Sequence, residues 1–341
     1  MMADDALRAP MSMLVLVNLA ADLGIAEKAV LAGTGLTPTD LRETGAEVRA
    51  SQELRAIENL LAAAPNAATI GLDAGLRYHL TTYGIWGFAM VSASTFRESI
   101  DVGLRYLDLT FTFAPIRAEE MGTDLRLVLE EEPSLSPDVA RFVVQRDATA
   151  IQTLQRETLG WPANPRSVDF RHEIAGGMKG PVLTRYRETL GIAPTFGADR
   201  NVVVLDAANL DAPLPQADPH TAAMTQQMCE DLVDARKARA GLAGRVRNLI
   251  VAQLRPPPSL PDVAAILQMS PRTLRRRLAS EDTTMRQLID EVRAALAAEL
   301  ITGGRLTVAE VARRLGYVEV SSFSQAFRRW YGMSPRAFRD R

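Results

Sequence analysis

The sequence predicts an α+β N-terminal domain, helices plus a small sheet, followed by an all-α domain of two helix-turn-helix units joined by a long helix. Three observations carry that prediction. Apolar residues recur at three- and four-residue steps over most of the chain, but alternate in a few short runs between Leu109 and Leu205. A helix-turn-helix pattern near the C-terminus occurs twice. Charge is split: Gly241 to Arg341 holds 17 arginines, no lysine and nine acidic residues, a net of +8, whereas the rest of the chain has 22 basic and 32 acidic residues, a net of −10. The overall −2 of this 341-residue chain therefore hides a basic domain behind an acidic one, the asymmetry expected where one part meets nucleic acid.

Residues 10–65 read as all-helical. Met13, Leu14, Leu16, Val17 and Leu19 begin an apolar helix, and Gly24, Gly33 and Gly35 then break the chain into short pieces. Thr37-Pro38 is expected to open a helix, and Ser51 to cap one running through Leu54, Ile57, Leu60 and Leu61. Further helices are expected at Ile70–Leu80 and, capped by Thr95, over FRESIDVGLRYL. Leu109, Phe111 and Phe113 alternate with polar or small neighbours and read as a strand, paired in a hairpin with Leu125, Leu127 and Leu129. A long helix over 136–159, a strand at Val168–Phe170, a helix at Val182–Leu190 and a strand at Asn201–Leu205 complete an α+β layer. The proline-rich tract Asp211–Pro219 reads as a bend before a helix, Thr221–Arg236. The domains then fall at 1–234 and 243–341, with ARKARAGL, residues 235–242, as the tether.

One cysteine, Cys229, excludes an internal disulfide and fits a reducing compartment. No apolar run approaches the ~18 residues of a membrane span. Met11–Ala21 follows Asp4 and Asp5 and lacks a basic start, so it reads as a core helix rather than a signal peptide, and the cytoplasm is the expected location.

In the C-terminal domain, Thr307 is a helix cap, Val308, Val311, Ala312 and Leu315 lie on one face, and Gly316 ends the helix where a left-handed backbone is needed. The next helix buries Phe323, Phe327 and Trp330 and presents Ser321, Ser324, Gln325, Arg328 and Arg329; Ser334-Pro335 starts a last short helix. The chain from Leu260 repeats this. Leu260, Val263, Ala264, Leu267, Met269, Leu274 and Leu278 match Val308, Val311, Ala312, Leu315, Tyr317, Phe323 and Phe327, at an offset of 48 up to Met269 and 49 after it. A solvated amphipathic helix explains one such pattern, but not two donor-rich copies at a fixed separation. The linking helix, Met285 to Ile301, would span ~25 Å at 1.5 Å per residue. That suits two helices set into successive major grooves about 34 Å apart.

VARRLGY, SSFSQAFRRWYG and MSP resemble the second-unit signature of AraC/XylS-type transcription regulators, and the likeness covers 241–341. Over roughly 15–235, YGIWGFAMVSASTFRESI, VDFRHE and APTFGADRNVVVLDAANLDAPLPQADP look like the arabinose-binding-type sensor domain of a subgroup of these regulators, whose members answer to varied ligands. Position by position, the resemblance implies that Arg272, Arg275 and Arg276 read bases from the first unit, and Ser321, Ser322, Ser324 and Gln325 from the second. Arg328 and Arg329 would grip phosphates, which set position rather than sequence. The family often carries Arg where Gln325 stands; Gln pairs with adenine, whereas Arg prefers guanine. Arg277 is expected to lay its stem on the long helix. The resemblance also implies an activator working with RNA polymerase, a small-molecule effector and a homodimer. Trp86, Phe88, Phe111 and Phe113 are candidate walls for the effector, and Arg171 or His172 a partner for an acidic one, although core packing and a surface ion pair are the commoner fates of such residues.

The rival readings are weaker. A methyl-accepting repair enzyme needs clustered cysteines, and Cys229 stands alone. His79, His172 and His220 have no paired ligand spacing, so neither metal nor cofactor is expected. Redox sensing by Cys229 needs an exposed thiolate. A ligand-independent co-regulator, whose N-terminal domain only contacts other proteins, is the alternative function.

Overall fold

The computed structural model describes residues 7–122, 124–173, 180–303 and 306–339; Asp4, Asp5, Gly304 and Arg305 lie outside them. The chain forms two compact units, Met1–Asp234 and Ala235–Arg341. The first opens with β1 (Leu7–Arg8), α1 (Met11–Asp22), α2 (Glu27–Val30), β2 (Val48–Arg49), α3 (Ala50–Ala63), α4 (Ile70–Gly75), α5 (Ile85–Val91) and α6 (Phe96–Arg105). It continues with β3 (Ile116–Met121), β4 (Asp124–Leu129), α7 (Pro137–Leu159), β5 (Ser167–Phe170), α8 (Pro181–Leu190), β6 (Thr195–Phe196), β7 (Asn201–Leu205) and α9 (Ala207–Leu210). α10 (Pro219–Ala240) crosses from the first unit into the second.

The sheet runs β3-β4-β7-β5-β6, antiparallel except for the β5/β6 pair. Leu125, Leu127 and Leu129 of β4, with Val203 and Leu205 of β7, turn one face of it toward Val144 and Ala148 of α7 and Phe96 and Ile100 of α6. A second core joins Met13 and Leu16 of α1, Ile57 and Leu60 of α3, and Phe142 of α7. α4 approaches α7 closely because its facing residues are glycines. A Cβ added at Gly71 would meet the Phe142 carbonyl at 2.6 Å, and one at Gly75 the Arg146 carbonyl at 2.5 Å.

The α+β class holds, but several local expectations do not. The hairpin pairs β4 with Ile116–Met121, not with Leu109–Ala114, which is a turn and irregular chain. The apolar residues of 109–114 serve different cores: Phe111 packs with Val15, Tyr78 and Ala150, and Phe113 with the α1–α3 cluster. The Phe111 carbonyl is satisfied by guanidiniums, accepting from Arg8 Nη1 at 3.2 Å and Arg146 Nη2 at 3.0 Å. Thr37-Pro38 opens no helix beyond the single turn Asp40–Arg42. α3 starts before Ser51, because the Gln52 side chain takes the Arg49 N–H at 2.8 Å. The Ile70–Leu80 helix stops at Gly75. Residues 235–240, read as tether, continue α10, and the break falls at Gly241.

The second unit adds α11 (Leu242–Ala252), α12 (Leu260–Ile266), α13 (Pro271–Ser280), α14 (Met285–Thr302), α15 (Val308–Arg314), α16 (Val320–Tyr331) and α17 (Pro335–Arg339). The Glu281 carboxylate sits on the N-terminus of α11, accepting from the Leu242 and Ala243 amides at 3.0 and 2.9 Å, where a negative charge complements the helix dipole. No helix among the described residues is long and apolar enough to cross a membrane.

Candidate nucleic-acid interface and effector cavity

The two helix-turn-helix units are built by the same local rules. In α12, Ser259 Oγ accepts from the Asp262 amide at 3.4 Å while the Asp262 carboxylate takes the Ser259 N–H at 2.9 Å. In α15, Thr307 and Glu310 make the same reciprocal pair at 3.3 and 2.7 Å. These bonds to the ionised form hold both carboxyls below the usual carboxylate range. The turns also match. Gln268 and Gly316 occupy one position with φ +55° and +81°, and the next amides, Met269 and Tyr317, donate to Ala264 and Ala312 at 2.9 and 3.0 Å. Val263, Ala264, Leu274 and Leu278 are buried in one core, and Val311, Ala312, Phe323 and Phe327 in the other.

With Leu274 and Leu278 facing inward, Arg272, Arg275, Arg276 and Arg277 of α13 are exposed. Among the described residues, none of the four guanidiniums makes a hydrogen bond or ion pair. In α16, Phe323, Ala326 and Phe327 are buried, while Ser321, Ser322 and Gln325 are exposed and Ser324 is half-buried. Ser321 Oγ donates to Glu319 at 3.2 Å. Arg328 is exposed, and exposed Arg329 is held by Asp290 of α14 at 3.0 Å. α14 is shared by both cores: Leu288 and Val292 belong to the first, Ala297 and Ile301 to the second. Both α13 and α16 thus pack into cores that share one 18-residue helix.

In the first unit, the residues considered for the effector scatter. Trp86 is buried, its Nε1 donating to the Gly103 carbonyl at 3.1 Å, and lines a cavity. Phe88, two residues on, is 56 % exposed. Phe111 and Phe113 lie in the clusters already described, and Arg171 pairs with Glu131 at 2.8 Å on the surface. His172 meets the Tyr186 hydroxyl at 2.7 Å among aromatic rings. Cys229 is fully buried and burial pushes its thiol up to about 11, so it offers no exposed thiolate.

The cavity lies between α5, α6, α7 and the sheet. It holds about 650 Å³ of empty space, counting the solvent at its open mouth. Asp147, Ile151 and Gln155, at four-residue steps along α7, form one wall. The sequence reading passed over them. Their signal was a run of polar residues, Gln145, Arg146, Gln152 and Gln155, at positions that helical periodicity buries. Arg146, 1 % exposed, is held by Glu53 at 3.3 Å and Asp147 at 2.8 Å.

Comparison with known proteins agrees with this geometry. Residues 24–214 match the arabinose-binding domain of AraC transcription regulators, and residues 263–341 match a helix-turn-helix domain. The chain is 37 % identical over 331 residues to the HTH-type transcriptional regulator Rv1395 of Mycobacterium tuberculosis, covering 96 % of this chain and 94 % of that protein. It is 30 % identical over 274 residues to the ornithine utilization regulator of Pseudomonas aeruginosa, covering 80 % and 78 %. Among solved structures, transcriptional regulator CdpR of P. aeruginosa superposes with a TM-score of 0.50 at 26 % identity, over 97 % of this chain and 98 % of that one. With an arabinose-binding-type domain matched over more than half its length and two helix-turn-helix units behind it, this chain belongs to the AraC family of DNA-binding transcription regulators.

Proposed function

We propose that the chain is a transcription activator whose DNA affinity is set by a small-molecule effector bound in the first unit. The observation that carries the DNA half is the row of unpaired guanidiniums on α13 beside the donor-rich face of α16, both on the shared α14. Arg272, Arg275 and Arg276 read bases in one major groove; Ser321, Ser322, Ser324 and Gln325 read them in the next. Arg328 and Arg329 bind phosphates, with Asp290 orienting Arg329. The effector half is supported by the cavity. An activator of this kind touches RNA polymerase and acts as a homodimer; run-off transcription with purified polymerase and sedimentation equilibrium test these two points.

Genome-wide binding of the tagged protein supplies the operator, and titration of that duplex tests the assignment. Arg276→Ala should cost roughly 1–3 kcal/mol on the operator and relax preference at one base position. Equal weakening on every sequence would reduce Arg276 to a phosphate contact. Effector control would be refuted by a protein whose melting temperature no metabolite shifts while its operator affinity stays intact, which is the behaviour of a ligand-independent co-regulator.

A further inference from the structure

Gln155 stands in the wall of the first unit's cavity, 2 % exposed, and neither its Oε1 nor its Nε2 has a hydrogen-bond partner in the protein. Its neighbours on the same wall, Ile151 and Leu154, are apolar, and the floor is formed by Leu127 and Leu205 of the sheet. A buried amide with both a donor and an acceptor unmet is costly unless something in the cleft pairs with it. Two turns away on α7, ~12 Å along the axis, is the Asp147 carboxylate, whose Oδ1 is taken by Arg146. Burial raises its pKa and Arg146 opposes that rise. The ion cluster behind it, Arg8, Arg146, Glu53 and Asp147, pairs two guanidiniums with two carboxylates and leaves no positive charge for an anion.

We propose that this cleft takes a small, neutral, largely apolar molecule with one hydrogen-bonding head, the head pairing with the Gln155 amide and the body lying along Ile151 and Leu154. The assignment rests on the effector reading above and gives it a ligand class. A free sugar does not fit: each buried hydroxyl needs a partner, and the hydroxyls of Thr110 and Thr112 in the wall already donate to the Leu107 and Ala114 carbonyls at 2.7 and 3.0 Å. An anion meets Asp147 with no cation to spare.

The test titrates the full-length protein with hexanamide, hexanoate and hexane, reading binding by calorimetry and by ligand-observed NMR. Hexanamide should bind about tenfold tighter than hexane, the worth of one well-made buried hydrogen bond, and hexanoate should bind more weakly than hexanamide. Gln155→Leu, close to the amide in volume and needing no partner, should bring hexanamide and hexane together. Ile151→Trp, which fills the cleft, should abolish binding of both with an unchanged circular dichroism spectrum. Equal binding of hexanamide and hexane to the wild type would mean that water serves Gln155, and would overturn the proposal. So would a preference surviving in Gln155→Leu, tighter binding of hexanoate, or no saturable binding of any probe. If no probe binds but a metabolite screen still raises the melting temperature, the cleft assignment falls and the effector reading stands. If hexanamide binds through Gln155 but no cleft ligand changes operator affinity, the cleft assignment stands and the effector reading falls.

Discussion

His172 shows how one half-buried side chain links this protein to pH. Its ring lies against Phe170, Tyr186 and Phe196, and burial, with a smaller push from Arg141, lowers its pKa from 6.5 to about 4. The native imidazole is therefore neutral where the unfolded one takes a proton. The stability this carries is fully present above pH 6.5 and is lost as pH falls toward 4. Urea unfolding at pH 7 and pH 4.5 should show the first unit losing about 2 kcal/mol through this residue, a loss that His172→Gln removes. An unchanged difference between the two pH values in the variant would assign the acid sensitivity to other groups. The signal for this role was absent from the sequence, where His172 stands at a strand end beside Arg171 and reads as a surface ion pair or a partner for an acidic ligand. Only the packing of Tyr186 and Phe196 against its ring took it half out of water.

Among the elements, the two turns of the helix-turn-helix units form a natural experiment. Gln268 at φ +55° and Gly316 at φ +81° hold equivalent left-handed positions, and only glycine does so without strain. Gln268→Gly should therefore stabilise the second unit by about 0.5–1 kcal/mol, read as a rise in the urea midpoint. Gly316→Ala should destabilise it by about 1–2 kcal/mol, and its new Cβ would lie 3.0 Å from the Leu254 carbonyl. If both changes were neutral, the turns would not be the rigid stops that aim α13 and α16. The one-residue difference between the copies comes after this position. Ser270-Pro271 caps α13 directly, its Oγ accepting from the Thr273 amide at 3.1 Å, whereas Val318 and Glu319 precede α16. The Ser-Pro start of α13 and the buried spacing that follows in both copies are readable in sequence because they act within one or two turns of helix.

At the scale of the whole molecule, a chain of net charge −2 binds DNA because its charge is segregated rather than averaged. Each guanidinium that meets a phosphate releases a counterion, so operator affinity should fall steeply with salt, and Arg328→Gln should reduce the log–log slope by about 1 on every sequence. A loss confined to the operator would make Arg328 a base reader instead. The C-terminal domain was legible almost residue by residue: helical repeats, caps and turn glycine are local devices, and the buried faces at Val263 and Val311 follow from periodicity. The first unit was legible in class and in most of its elements, but not at Phe111 and Phe113. Their alternation looked like a strand, yet the residues divide between two cores and their backbone is held by Arg8 and Arg146. By itself, then, the sequence determined the DNA-reading half, because a helix-turn-helix is specified by contacts between near neighbours. The tertiary structure alone decided which strand pairs with β4, where Arg146 and Glu53 meet across 93 residues, and that Gln155 faces a cleft. Those depend on segments distant in sequence packing together, which no local spacing encodes.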